Sequence, residues 1–128
     1  MNAWLIAVAV GVGGGAGAMC RYGLVMLASR LIGGFPFGTL AVNVLGAFGI
    51  GVGFLYCQRR PESAVAVRAF AMTGFLGGFT TFSAFSLETL QLWSQGAHGK
   101  ALANILGNVT LSLAGVALGM VAARRLLG

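Results

Sequence analysis

Four apolar runs occupy nearly the whole chain: Ala3 to Leu31, Phe37 to Cys57, Val67 to Trp93 and Ala101 to Ala123. A membrane-spanning helix needs about 20 predominantly apolar residues, and in hydrocarbon every backbone N–H and C=O must find its partner within the protein. The expectation is an all-α integral membrane protein with four transmembrane helices forming a single domain over residues 1–128. The runs are joined by Gly33-Gly34-Phe35-Pro36, Gln58-Arg59-Arg60-Pro61-Glu62-Ser63 and Ser94-Gln95-Gly96-Ala97-His98-Gly99, whose Gly, Pro and polar residues read as short loops. There is no room for a soluble domain. The first run lacks a basic leader and is too long for a signal-peptide core, so it is expected to stay as a membrane helix.

Composition excludes the soluble alternative. Of 128 residues, 58% are hydrophobic and only 8% charged, whereas a soluble domain carries about a quarter charged residues. The formal net charge is +6, but Arg30, Arg59, Arg60, Arg68, Lys100, Arg124 and Arg125 sit at helix ends and loops. There they anchor helices and meet anionic headgroups, and no nucleic-acid-binding motif accompanies them. The N-terminus, second loop and C-terminus share Arg59, Arg60, Arg68, Arg124 and Arg125; the other side has Arg30 and Lys100. By the positive-inside rule this excess of five basic groups against two favours both termini in the cytoplasm, a modest bias. Cys20 and Cys57 have no Cys or His at ligand spacing and read as small buried hydrophobes.

The third run holds the most unusual stretch, Gly-Phe-Leu-Gly-Gly-Phe-Thr-Thr-Phe-Ser-Ala-Phe-Ser-Leu-Glu, residues 74 to 88. A glycine pair, two threonines and two serines interrupt a segment otherwise apolar enough to span. A helix broken at membrane depth persists only where protein packs around it or a polar cavity adjoins it, so an ion or substrate site is expected here. Other intramembrane polar residues gather to match. Asn104, Asn108 and Ser112 recur every four positions and form one stripe of the last helix; Asn43 follows Thr39 in the second helix; the third supplies Thr80, Thr81, Ser83 and Ser86. Such amides and hydroxyls line a pathway or act as interhelical hydrogen-bonding glue.

The chemistry of this set favours an anion. It offers N–H and O–H donors and aromatic edges of partial positive charge, with almost no carboxylate. Arg21 adds a full positive charge. At about 27 Å along its helix, it can snorkel to the interface or form an electropositive vestibule; the two are compatible. The only acids are Glu62 and Glu88, and His98 is in a loop, so no catalytic dyad is present and the chain is not expected to be an enzyme. A proton-coupled exporter of the small multidrug type would need a membrane-embedded carboxylate, most naturally in the first helix. That helix has none, and Glu88 is the sole candidate.

Twenty-two glycines exceed what lipid-facing helices need. Gly11/Gly15, Gly13/Gly17, Gly49/Gly53, Gly74/Gly78 and Gly115/Gly119 are four apart, which lets helix backbones approach closely. Four short helices enclose little interior, so some of these faces are expected to meet another copy of the chain.

Three segments carry a family resemblance: Gly-Gly-Ala-Gly-Ala-Met-Cys-Arg-Tyr (14 to 22), Gly-Thr-Leu-Ala-Val-Asn-Val-Leu-Gly-Ala-Phe (38 to 48) and the 74 to 88 stretch. In content and order the chain resembles the small Fluc-type (CrcB) bacterial fluoride channels over nearly its whole length. The resemblance implies a multi-pass protein of the bacterial inner membrane, an antiparallel dual-topology homodimer with two fluoride pathways, and a structural sodium ion at its centre. Gly77 and Thr80 would supply backbone carbonyls to the sodium. Phe82 and Phe85 would offer ring edges to fluoride, with Ser83 beside them, Asn43 as an amide donor and Arg21 as the vestibule cation. The family's polar track would map to Asn104, Asn108 and Ser112. Thr39, Thr81 and Glu88 are further polar candidates without an assigned role.

Overall fold

A computed structural model of the chain describes residues 1–128. It is all-helical. Helix α1 spans Ala3–Leu31 and α2 Phe37–Arg59. The third span, Ala64–Ser94, is two half-helices: α3, residues 64–79, which is π-helical over Val67–Leu76, and α4, Phe82–Ser94. Helix α5 runs His98–Leu127. All four spans are long and apolar enough to cross a membrane.

The helix ends follow local chemistry. Asn2 caps α1, its side-chain oxygen accepting from the Leu5 amide at 2.9 Å, as residues of its type do at N-caps. The α1–α2 loop turns through Gly34 at φ +85° and the α4–α5 loop through Gly96 at φ +79°, backbone that a side chain would strain. Lys100 donates to the Gly34 carbonyl at 2.9 Å. That bond joins the first and third loops, which an even number of crossings places on one side.

Small residues set the packing. Helix α1 lies chiefly along α3, and α2 along α5, which also carries α4. A Cβ added at Gly13 or Gly17 would collide with the Phe70 or Phe75 carbonyl of α3, and one at Gly119 with the Phe48 carbonyl of α2. Backbones therefore touch where side chains are missing. Gly11 and Gly15 differ: a Cβ there meets nothing within 4 Å, so this pair packs against nothing in its own chain.

Only 20 of 128 residues are buried, and Thr39, Thr81, Asn104 and Asn108 are among them, while Trp4 is 81% and Phe82 78% exposed. A soluble domain distributes its residues the other way. Apolar side chains face outward, as in a membrane-spanning chain, and hydrogen-bonding groups are gathered inside.

Candidate functional site

The interruption of the third span is two residues long. Thr80 (φ −88°, ψ 158°) and Thr81 (φ −151°, ψ 114°) are extended between α3 and α4. The glycine pair beside them is not the break: Gly77 and Gly78 remain helical. Gly78 instead permits close approach, since a Cβ there would strike the Gly14 backbone of α1, whereas a Cβ on Gly77 would find only the Met72 carbonyl at 3.7 Å. The threonines provide the bonds that a break requires. Thr80 Oγ1 donates back to the Leu76 carbonyl at 3.0 Å, and Thr81 Oγ1 accepts from the Ala84 amide at 3.2 Å, capping α4. Ser83 Oγ stands 3.3 Å from the same Thr81 hydroxyl.

Asn43, on α2, holds the exposed backbone. Its Oδ1 accepts from the Thr81 amide at 2.8 Å, and its Nδ2 donates to the Thr81 carbonyl at 3.1 Å. One side-chain amide thus pairs with both backbone groups of an extended residue, as a neighbouring β-strand would. Carbonyls are released at the break, those of Gly77 and Thr80 among them. In a continuous helix the Gly77 carbonyl would accept from Thr81 N–H and the Thr80 carbonyl from Ala84 N–H, but those donors have turned to Asn43 and to the Thr81 hydroxyl.

A polar ladder continues from Asn43 through the bundle. Its Nδ2 also donates to Asn108 Oδ1 at 2.9 Å. Asn108 Nδ2 donates to the carbonyl and side-chain oxygens of Asn104 at 2.9 and 3.0 Å, and Asn104 Nδ2 donates to Thr89 Oγ1 at 3.0 Å. Nearby, Thr39 Oγ1 donates to Glu88 Oε1 at 2.8 Å. Glu88 Oε2 has no partner within the chain; the residue also borders a cavity of about 410 Å³ with Ser29, Gln91 and Gln95 under the first loop.

The break opens onto a larger cavity of about 450 Å³, walled by Asn43, Thr80, Thr81, Phe82, Phe85, Asn108 and Ser112 together with apolar residues of α2 and α5. The Phe82 and Phe85 rings lie 5.4 Å apart at 60°; Phe85 is buried and Phe82 exposed. Of the residues selected from sequence, these seven therefore come together. Asn104 does not join them: it is wholly buried behind Asn108. Arg21 lies on the α1 side, where its Nε donates to the Gly78 carbonyl at 3.0 Å. It turns to the end of α3, where a half-helix carries partial negative charge.

Sequence reasoning passed over Thr89 and Gly14. Thr89 was detectable, because Phe82, Phe85 and Thr89 fall at i, i+3 and i+7 on one helical face. For Gly14, one glycine among many in α1, no local signal marks the contact.

The fold and site define a small polytopic membrane protein whose polar groups converge on an interrupted helix. The chain belongs to the family described as CrcB-like protein, Camphor Resistance (CrcB), whose model matches residues 8–120. It is similar to a protein of Paracoccus denitrificans named fluoride-specific ion channel FluC, 46% identical over 117 residues, covering 91% of this chain and 93% of that protein. Proteins of the same name from Rhizobium johnstonii (45% over 121 residues, 94% of this chain and 97% of the relative) and Agrobacterium fabrum (42% over 118 residues, 91% and 94%) are also similar.

Proposed function

We propose that the chain is a fluoride-specific ion channel of the bacterial inner membrane, passing fluoride passively down its electrochemical gradient and so lowering its cytoplasmic level. The observation that carries this reading is the cavity at the Thr80–Thr81 break, a largely apolar space whose wall includes Asn43, Thr80, Thr81, Asn108, Ser112 and two phenylalanines and no carboxylate, in a chain of the CrcB family. Stripping a small anion of water in a low-dielectric site costs on the order of tens of kcal/mol unless donors replace the water. The Thr81 and Ser112 hydroxyls and the Phe82 and Phe85 ring edges are suited to that replacement. Asn43 and Asn108 border the same space, and Arg21 supplies positive charge on the α1 side.

Assembly as an antiparallel homodimer belongs to the same proposal. Phe82 and Gly77 are exposed on one chain, and the Gly11/Gly15 face meets no neighbour; an inverted second copy would cover such surfaces. A central structural sodium ion fits the released Gly77 and Thr80 carbonyls, oxygen ligands of the kind hard cations take. When bound, it would hold two copies of the break together without being transported.

Purified protein in liposomes, loaded with fluoride or chloride, tests the function. Fast fluoride efflux without proton coupling, and slow chloride efflux, are expected; obligatory proton exchange would refute the channel reading. For the dimer, an added N-terminal cysteine in a Cys20→Ser background should be labelled from both membrane sides in active protein. Labelling from one side only would refute dual topology.

A further inference from the structure

We infer that Thr89, Asn104 and Asn108 are positioning residues: as a ladder of one-way hydrogen bonds they set which end of the Asn43 amide faces the helix break. The order of the bonds is set at the far end. Thr89 Oγ1 donates its only proton to the Phe85 carbonyl, at 2.7 Å. Its oxygen can then only accept, so Asn104 must present Nδ2 to it, as observed at 3.0 Å. That orientation turns Asn104 Oδ1 toward Asn108, which must answer with Nδ2, at 3.0 Å. Asn108 Oδ1 is left facing Asn43, which must donate to it, at 2.9 Å.

With Nδ2 so committed, Asn43 Oδ1 is the atom that meets the Thr81 amide, at 2.8 Å. A flipped Asn43 would set NH2 against N–H and oxygen against oxygen. Every primary amide has two ends of opposite character, so the choice made at Thr89 reinforces those that the Asn104 backbone carbonyl makes for Asn108 and the Thr81 backbone makes for Asn43. Burial sharpens the choice: Asn104 is 0% and Asn108 6% exposed, and neither can turn to water. This role differs from lining a pathway, because both Asn108 donors point to Asn104 and away from the cavity. The ladder starts on α4 and ends on α2, so the second half-helix indirectly orders the backbone that precedes it.

Thr89 is the place to test this, since it touches neither the break nor the cavity. Thr89→Val keeps the shape and removes the anchoring hydroxyl, whereas Thr89→Ser keeps the hydroxyl and removes a methyl group. The ladder predicts that Thr89→Val, by leaving both amide orientations populated, lowers fluoride efflux from liposomes about twofold, and that Thr89→Ser leaves it unchanged. A packing role predicts the reverse order, and that order would overturn the inference. Efflux rests on the channel reading above; a second measurement does not. In protein with 15N-labelled asparagine side chains, the two Asn43 amide protons should give sharp, separate signals in the parent and in Thr89→Ser, and exchange-broadened signals in Thr89→Val. Unchanged Asn43 signals in Thr89→Val would refute the ladder even if no variant conducts.

Discussion

Replacing Asn43 by Asp keeps its shape and changes its hydrogen-bonding character, which makes the consequences calculable from the geometry. The substitution retains an acceptor for the Thr81 amide but removes the two donor bonds, to the Thr81 carbonyl at 3.1 Å and to Asn108 Oδ1 at 2.9 Å. The carboxylate then faces two acceptor oxygens left without a donor, and each such loss costs about 1–3 kcal/mol, more beside a charge, so the folded protein should lose several kcal/mol. The electrostatic effect on an anion is separate. A carboxylate about 4 Å from a passing ion opposes it by about 4 kcal/mol at an effective dielectric of 20, close to a thousandfold in occupancy. Asn43→Ser also breaks the clamp, because serine is too short to meet both Thr81 groups, but adds no charge. Fluoride efflux from liposomes should therefore fall in the order Asn43, Ser, Asp, with Asp near background and thermal unfolding in detergent lowered more by Asp than by Ser. Efflux from Asn43→Asp within about twofold of the parent would refute the placement of Asn43 both as clamp and beside the ion.

Two further outcomes follow from the packing. Gly78→Ala should destabilise the protein by about 1–3 kcal/mol, since its Cβ meets the Gly14 backbone and overpacked backbone cannot yield cheaply; Gly77→Ala, with its nearest contact at 3.7 Å, should leave the single-chain fold intact. Equal unfolding midpoints for the two variants would contradict this. Phe82→Ile and Phe85→Ile should each sharply reduce fluoride efflux, because isoleucine keeps bulk and loses the polarised ring edge, and only the change at buried Phe85 should also lower stability, by about 1 kcal/mol. Unchanged efflux in both would remove the rings from the pathway.

Membrane class and helix number were legible in the amino-acid sequence because both depend on quantities local to a segment. A run such as Ala3 to Leu31 must be helical and must span, since no other backbone structure satisfies its polar groups in lipid. The presence of an interruption near residue 80 was legible for the same reason, as was the recurrence of Asn104, Asn108 and Ser112 on one face. Its position was not. Glycines look like the natural breakers, yet Gly77 and Gly78 stay helical because α1 needs the bare surface at Gly78, a requirement set by Gly14 some 60 residues earlier. The break falls on Thr80 and Thr81 because Asn43 of another helix arrives to pair with Thr81.

The stripe on α5 likewise divides only in three dimensions. Ser112 and Asn108 reach the cavity while Asn104 is enclosed beside Thr89, and periodicity alone gives all three the same face. Arg21 is the plainest case. Its sequence position permits both snorkelling and a polar vestibule, and only the packed structure shows its Nε donating to the Gly78 carbonyl at the end of a half-helix. Hydropathy and period depend on neighbours in the chain, and so the sequence by itself determined the spans; hydrogen-bond partners at membrane depth come from other helices, and only their packing decided where the helix opens and which polar groups meet there.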